Sequence, residues 1–307
     1  MTCIAICLPI DVRAQNCCAP AVPPQGMLGE TVALPHVLEI GLHYELLKSA
    51  DFYEGSKKIS YPTDTKFLSN RATLTAAYGI FHRLSATAII PYNWKKKTID
   101  YDPTELHVEN STNGVGDVTF LLRYSPLARS FVNFRELSVG LGLKLPTGSV
   151  DQRNSGFLLP EELQPGTGSW DYTGSVSYYQ GFEPVDFIVS GTYLITTAHE
   201  EYEFGNQFSY LLASVFHVRE RLDLSAALSG IVRGKDREAG QEVSSTGRHQ
   251  LWLVPGIKAQ VIPEMLGLQA FFELPIYQHF NGLQLAGDYN IRVSIVYLLP
   301  LAKSAED

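Results

Sequence analysis

Beyond Cys18 the chain has no cysteine, because Cys3, Cys7, Cys17 and Cys18 are its whole complement in 307 residues. A disulfide framework or a thiolate metal site in the body of the protein is thereby excluded. Long apolar runs are missing too: no stretch approaches the roughly 18 to 20 continuous apolar residues of a membrane-spanning helix. Charge is scarce at 18%, and basic residues are outnumbered, giving a formal charge of −8 and a pI near 5.5. Phosphate backbones are bound by concentrated Lys and Arg, so nucleic acid is not an expected partner. The single basic run, Lys95-Lys96-Lys97, reads as a solvated loop base where a strand leaves a membrane. Also lacking are a phosphate-cradling glycine loop followed by Lys and any His-Glu or Cys-His metal spacing, so neither cofactor nor metal is expected.

What is there is alternation. Hydrophobic residues reach 45% with a mean hydropathy of −0.02, a composition of neither a disordered polyelectrolyte nor a helical membrane protein. From about His36 the chain falls into stretches of roughly ten residues with period two, separated by Gly, Pro, Asn and Asp. In the first, Ile40, Leu42, Tyr44 and Leu46 share one face while Glu39, Gly41, His43 and Glu45 share the other. Twelve such stretches follow one another, the last near Tyr289 to Leu298.

A soluble sandwich would show the same period, so the connections must discriminate. Links at 79 to 83, 180 to 184, 218 to 221 and 262 to 267 are tight, and 125 to 134 is somewhat longer. Those between, at 49 to 68, 95 to 115, 147 to 168, 198 to 206, 234 to 247 and 277 to 288, are mostly long and polar. Short turns at one end and long loops at the other, with an even strand number, are the layout of an outer-membrane barrel. Without helices, a closed barrel is the structure that pairs every backbone group inside hydrocarbon. Tyr78, Tyr92, Trp94, Tyr124, Trp170, Tyr210 and Tyr297 fall near strand ends on the outward face, where lipid headgroups would meet them. The expected fold is all-β, an antiparallel transmembrane barrel of about 12 strands with short periplasmic turns and long extracellular loops, in the outer membrane of a Gram-negative bacterium.

Residues 1–14 read as an export signal, although the apolar stretch Thr2 to Ile10 lacks a basic leader and contains Pro9. Residues 15–35 read as a periplasmic segment, 36–298 as the barrel and 299–307 as a tail. Cys17-Cys18 could carry a lipid, but Gln15-Asn16 is a poor approach to such a site.

Motifs at the strand ends carry a likeness. Tyr78-Gly79-Ile80 through Arg83-Leu84 to Pro91-Tyr92, then Gly114-Val115-Gly116-Asp117-Val118, Leu143-Lys144-Leu145-Pro146-Thr147-Gly148 and Gly166-Thr167-Gly168-Ser169-Trp170-Asp171 come in one order. In this the chain resembles the outer-membrane proteins of the MetA-pathway phenol degradation (phenol meta-pathway) family, over about residues 37 to 298. The resemblance implies a porin-like or transporter-like barrel, associated in some members with uptake of aromatic or other hydrophobic compounds, and implies no enzyme. Outer-membrane barrels commonly end on an aromatic, whereas this chain runs past Tyr297 to Asp307.

The candidate site is the inward face of the barrel: Glu39, His43, Glu45, Arg71, Asp117, Arg123, Lys144, Asp171, Asp223, Lys258, Glu273 and Arg292. Both signs are present in near balance, so these residues either line a narrow aqueous path or cross-link it shut. Gly114, Gly116 and Asp117, with Pro146, Thr147 and Gly148, form a turn motif. Its glycines allow positive φ or close approach, and Pro146 ends a strand because it has no donor. A lipid-modifying enzyme would need a nucleophile and its base. His82 with Ser85 lies in a tight turn without a partner carboxylate, and His43 with Glu45 is explained by lumen polarity. The favoured function is passage of small solutes through the outer membrane, with a non-conducting adhesion or structural barrel as the alternative. The solute is unidentified, and the bilayer itself is the partner the sequence implies.

Overall fold

The computed structural model describes residues 31–101, 106–129 and 134–301. The export signal and the Cys17-Cys18 pair lie outside these. Strands follow in chain order as β1 (Val37–Gly55), β2 (Lys57–Ile59), β3 (Thr63–Phe81), β4 (Leu84–Tyr101), β5 (Leu106–Val115), β6 (Thr119–Leu127) and β7 (Arg135–Lys144). After them come the short β8 (Arg153–Asn154) and β9 (Phe157–Leu158), then a single 3₁₀ turn, Glu161–Leu163. The chain continues with β10 (Asp171–Phe182), β11 (Val185–Ile195), β12 (Ala198–His199), β13 (Tyr202–Glu203), β14 (Gln207–Arg219) and β15 (Leu222–Arg233). It closes with β16 (Arg237–Glu238), β17 (Gln241–Glu242), β18 (Arg248–Ile262) and β19 (Leu266–Pro300).

Eleven of these form the wall in the order β19-β18-β15-β14-β11-β10-β7-β6-β4-β3-β1, and pairing of β19 with β1 closes it. All ladders between them are antiparallel, so no edge is left for lipid to meet. The 35-residue β19 crosses the wall twice. Leu266 lies opposite Ile262 and Pro300 opposite Val37, while Phe280 lies opposite both Arg248 and Gly55. Gly282 takes φ +66 just past the top of this climb and the strand returns, which makes twelve crossings.

Period two puts one side chain out and the next in, and here the outward set is apolar. Ile40, Leu42, Leu74, Phe120, Leu122, Val139, Val176, Val189, Leu212, Leu224, Ile257, Val293 and Ile295 are all exposed on the outer surface. Such a continuous apolar belt on a soluble protein would be an aggregation liability. Trp94 and Trp170 at the loop end and Tyr124 at the turn end flank the belt as headgroup anchors. The chain lies in an outer membrane, with its hydrocarbon contacts made by these residues.

Three expected loops are largely strand. β1 runs to Gly55, β3 starts at Thr63, β4 runs to Tyr101 against β5, and 277 to 288 is continuous with β19. The hairpins rise above the bilayer, where no lipid imposes alternation, so the polar sequence hid the pairing. Lys96 bonds Glu109 there at 2.9 Å, which holds that carboxyl below the usual carboxylate range. The last strand also runs two residues past the expected barrel end, to Pro300. Segments 196–206 and 234–247 give a separate four-stranded sheet, β12-β13-β16-β17, on the outer rim.

Candidate functional site: the lumen and its two ends

A one-residue bulge opens the site. From β4 to its partner, Tyr92 pairs with Val115 and Ile89 with Thr119, three steps on one strand against four on the other. The extra residue turns Gly116, Asp117 and Thr119 all to the interior. Asp117 then accepts the Gly148 and Thr167 backbone N–H groups, each at 2.9 Å, and the Thr167 hydroxyl at 2.8 Å. Thr147 donates its hydroxyl to the Gly116 carbonyl at 3.1 Å and accepts the Val118 N–H at 2.9 Å. The glycines serve close approach here, since none of Gly114, Gly116 and Gly148 has positive φ. A Cβ on Gly148 would stand 2.6 Å from the Gly166 Cα, so the two ends of segment 147–168 cross with no room for a side chain.

That segment divides: the β8–β9 hairpin, residues 153–158, stays exposed, while residues 159–167 fold against the inner wall. Lys95 donates to the Glu162 and Gln164 carbonyls at 2.9 and 2.7 Å, Thr112 to the Leu163 carbonyl at 2.5 Å and Asn93 to the Pro165 carbonyl at 3.0 Å. Lys97 pairs with the buried Glu162 at 2.6 Å. Leu159 and Leu163 join Phe52, Phe67 and Leu285 in an apolar cluster, with Phe67 and Leu163 fully buried. Lys95 and Lys97 are therefore lumen residues holding this plug, which corrects their reading as a solvated loop base.

Lys144, Asp117 and Asp171 form one buried group at its foot. Lys144 lies 3.2 Å from Asp117 and is bonded to Asp171 and to the Thr167 hydroxyl. These three candidates staple the plug to the wall. In the middle of the lumen Arg71 faces Glu45 at 3.8 Å and donates to Asn93 at 3.1 Å, and Arg292 is paired with Glu273. His43 meets hydroxyls on both nitrogens, Ser294 at 2.9 Å and Thr75 at 3.0 Å, and makes no pair with Glu45.

At the periplasmic end the structure leaves space. A chamber of about 460 Å³ is bordered by Glu39, Arg123, Asp223, Lys258 and Arg292 together with apolar groups such as Ile188, Leu211 and Val254. Residues 31–34, expected in the periplasm, enter this mouth and form part of the chamber wall. Arg123 donates to the Thr31 carbonyl at 3.2 Å, and the Val32 N–H donates to Glu136 at 2.7 Å. His217 bridges Asp186 and Asp223 at 3.0 and 2.8 Å. The twelve candidates thus divide between a stapled outer plug, mid-lumen pairs and a periplasmic chamber.

Sequence reasoning missed Lys95, Arg233, Asp236, Arg248 and Gln250, all buried inside. Four of them were within reach of simple parity. Lys95 shares its face with Asn93 on β4, and Gln250 with Lys258 on β18. Arg233 shares its face with Asp223 on β15, and Arg248 shares one with Lys258 on β18.

A closed barrel with an apolar belt, a polar interior and an inward-folded loop defines an outer-membrane barrel of channel-like build. The model for the family described as "Putative MetA-pathway of phenol degradation" matches residues 62–284, and the chain belongs to that family. Among solved structures it is similar to the COG4313 outer membrane channel from Pseudomonas putida F1, at 18% identity and a TM-score of 0.67, covering 88% of this chain and 98% of that one. More distant likenesses include the CymD monoaromatic hydrocarbon channel, at 10% identity and 0.44, covering 87% and 89%. A FadL homologue of Pseudomonas aeruginosa stands at 10% and 0.40, covering 85% and 90%.

Proposed function

We propose that the barrel is a gated passage for small solutes, with the plug 147–168 as its outer gate and the periplasmic chamber as its inner vestibule. The single observation that carries this is the contrast of fastening. The wall is joined by continuous strand ladders, whereas the plug is attached by side chains, a few ion pairs and five apolar residues. The chamber combines apolar and charged walls at a volume ordinary for a small-molecule site. That mixture suits compounds with an apolar body, and the family's description, which names phenol degradation, leans the same way. The reading assigns the barrel no catalysis, and His43 bonded to two hydroxyls without a carboxylate supports that.

The test is single-channel recording in planar bilayers of the purified barrel and of a variant lacking residues 150–164. Wild type should show small, interrupted conductance, and the deletion a severalfold larger and steadier one. Silence from both proteins, together with no solute flux in liposome swelling, would sink the passage reading in favour of a structural or adhesion barrel.

A further inference from the structure

Five cations are enclosed among the described residues: Lys95, Lys144, Arg233, Arg248 and Arg292. Four have partners of their own. Lys95 serves two carbonyls, Lys144 two aspartates, Arg233 is paired with Asp236, and Arg292 with Glu273. Arg248 is different. No carboxylate among the described residues lies within ion-pairing distance of this side chain, which is only 5% exposed; its Nε also has no acceptor, a feature it shares with the ion-paired Arg233 and Arg292. Guanidinium groups are rarely buried unpaired, because removing that charge from water without a counter-charge is strongly unfavourable.

Its surroundings concentrate the same sign. Arg233 stands directly opposite Arg248 across the β15–β18 ladder, at a cross-strand Cβ spacing of about 5 Å. The one acid there, Asp236, is already committed. It is bonded to Arg233, its Oδ1 accepts the Gly205 N–H at 2.8 Å, and its Oδ2 accepts the Tyr202 hydroxyl at 2.6 Å. The row therefore carries one positive charge in excess. On the far side of Arg233 comes Gln207, whose Oε1 is also buried with no donor. Phe280, opposite Arg248 on β19, closes the other flank with an apolar ring. Three unsatisfied polar atoms in one inward row, Arg248 Nε, Arg233 Nε and Gln207 Oε1, beside a surplus of positive charge, leave hydrogen-bonding capacity that the described residues do not fill.

We propose that Arg248, supported by Arg233, is a binding station for the carboxylate of a small organic acid at the outer end of the lumen. The planar guanidinium fork matches a carboxylate through two parallel hydrogen bonds, which a lysine in its place could not provide. The proposal rests on the passage reading and names the class of solute that would pass.

Calorimetric titration of the detergent-solubilised full chain tests it without requiring conduction. Benzoate is the probe, neutral benzyl alcohol and inorganic phosphate are the controls, and Arg248→Gln and Arg248→Lys are compared with wild type. Folding of each variant is confirmed by heat-modifiable gel migration. Benzoate should bind wild type at least tenfold more tightly than either variant, while benzyl alcohol should not discriminate among them. Equal benzoate affinity in wild type and Arg248→Gln, no benzoate binding to wild type, or binding of phosphate in preference to benzoate would each overturn the assignment. A barrel that binds benzoate through Arg248 yet never conducts would fail the passage reading alone.

Discussion

At the outer end of the lumen Leu159 and Leu163 are buried against Phe52, Phe67 and Leu285, whereas at the periplasmic end Glu39, Arg123 and Lys258 stand around an unfilled chamber. Both ends are made from the same twelve crossings of one wall. What differs is the chain that enters: the buried part of a segment crossed at a glycine pair on one side, with Leu159 and Leu163 at its heart, and a short backbone run, 31–34, on the other. The outer end is closed by apolar burial plus buried ion pairs. The inner end is narrowed by a segment tied through single hydrogen bonds to Arg123 and Glu136. Closure is therefore concentrated on the outside, and the interactions that maintain it are ones that single substitutions can remove.

The sharpest way to break this contrast is Lys144→Ala. It leaves Asp117 and Asp171 facing each other in a buried site without their cation, a loss on the order of 3 to 5 kcal/mol. Urea unfolding followed by tryptophan fluorescence should show it, and conductance should rise as the plug detaches. A stability and conductance equal to wild type would mean that the staple does not hold the plug. Next comes Leu163→Ala. Emptying this fully buried position should cost about 2 to 5 kcal/mol of plug docking. The readout is faster proteolysis within 147–168, with the wall strands remaining resistant.

A smaller effect is expected where the inner segment touches the wall. A Cβ on Gly79 would lie 2.0 Å from the Leu34 carbonyl oxygen, so Gly79→Ala must displace residues 33–35 at a cost of about 1 to 3 kcal/mol. Hydrogen exchange should rise in that segment and leave the plug unchanged; a change confined to the plug would show that the two ends are coupled. The mildest prediction concerns Arg123→Ala in the chamber. Its surroundings retain Lys258, Glu39 and water, so stability should shift by no more than about 1 kcal/mol, while the reversal potential in a salt gradient should move toward cations. Unaltered selectivity would remove Arg123 from the solute path.

Much of the wall could be read without coordinates, for a physical reason. Lipid outside and water or polar groups inside impose strict period two, and residues such as Leu42 against His43 or Leu122 against Arg123 carry that imprint locally. The turn motif was legible as geometry but not as purpose. Gly116 and Gly148 announce close approach, yet which backbones approach each other depends on a segment some thirty residues away. Lys95 and Lys97 were misread because a lysine on a hairpin above the bilayer has the same local sequence whether it faces water or a folded-in loop. Arg233 and Arg248 are the last residue of β15 and the first of β18, where alternation turns them inward but the adjoining polar loop sequence hides it.

The sequence by itself determined that the chain crosses a membrane by strands, how many times, and which face of each strand meets lipid. Those are properties of short stretches responding to a uniform solvent. Only the tertiary structure decided what occupies the interior: a plug built on Leu163, a stapled Asp117–Lys144–Asp171 group, a chamber behind it, and an arginine left without a partner. Each depends on groups brought together from distant strands, where the choice between pairing, packing and empty space is made by neighbours that the local pattern does not contain.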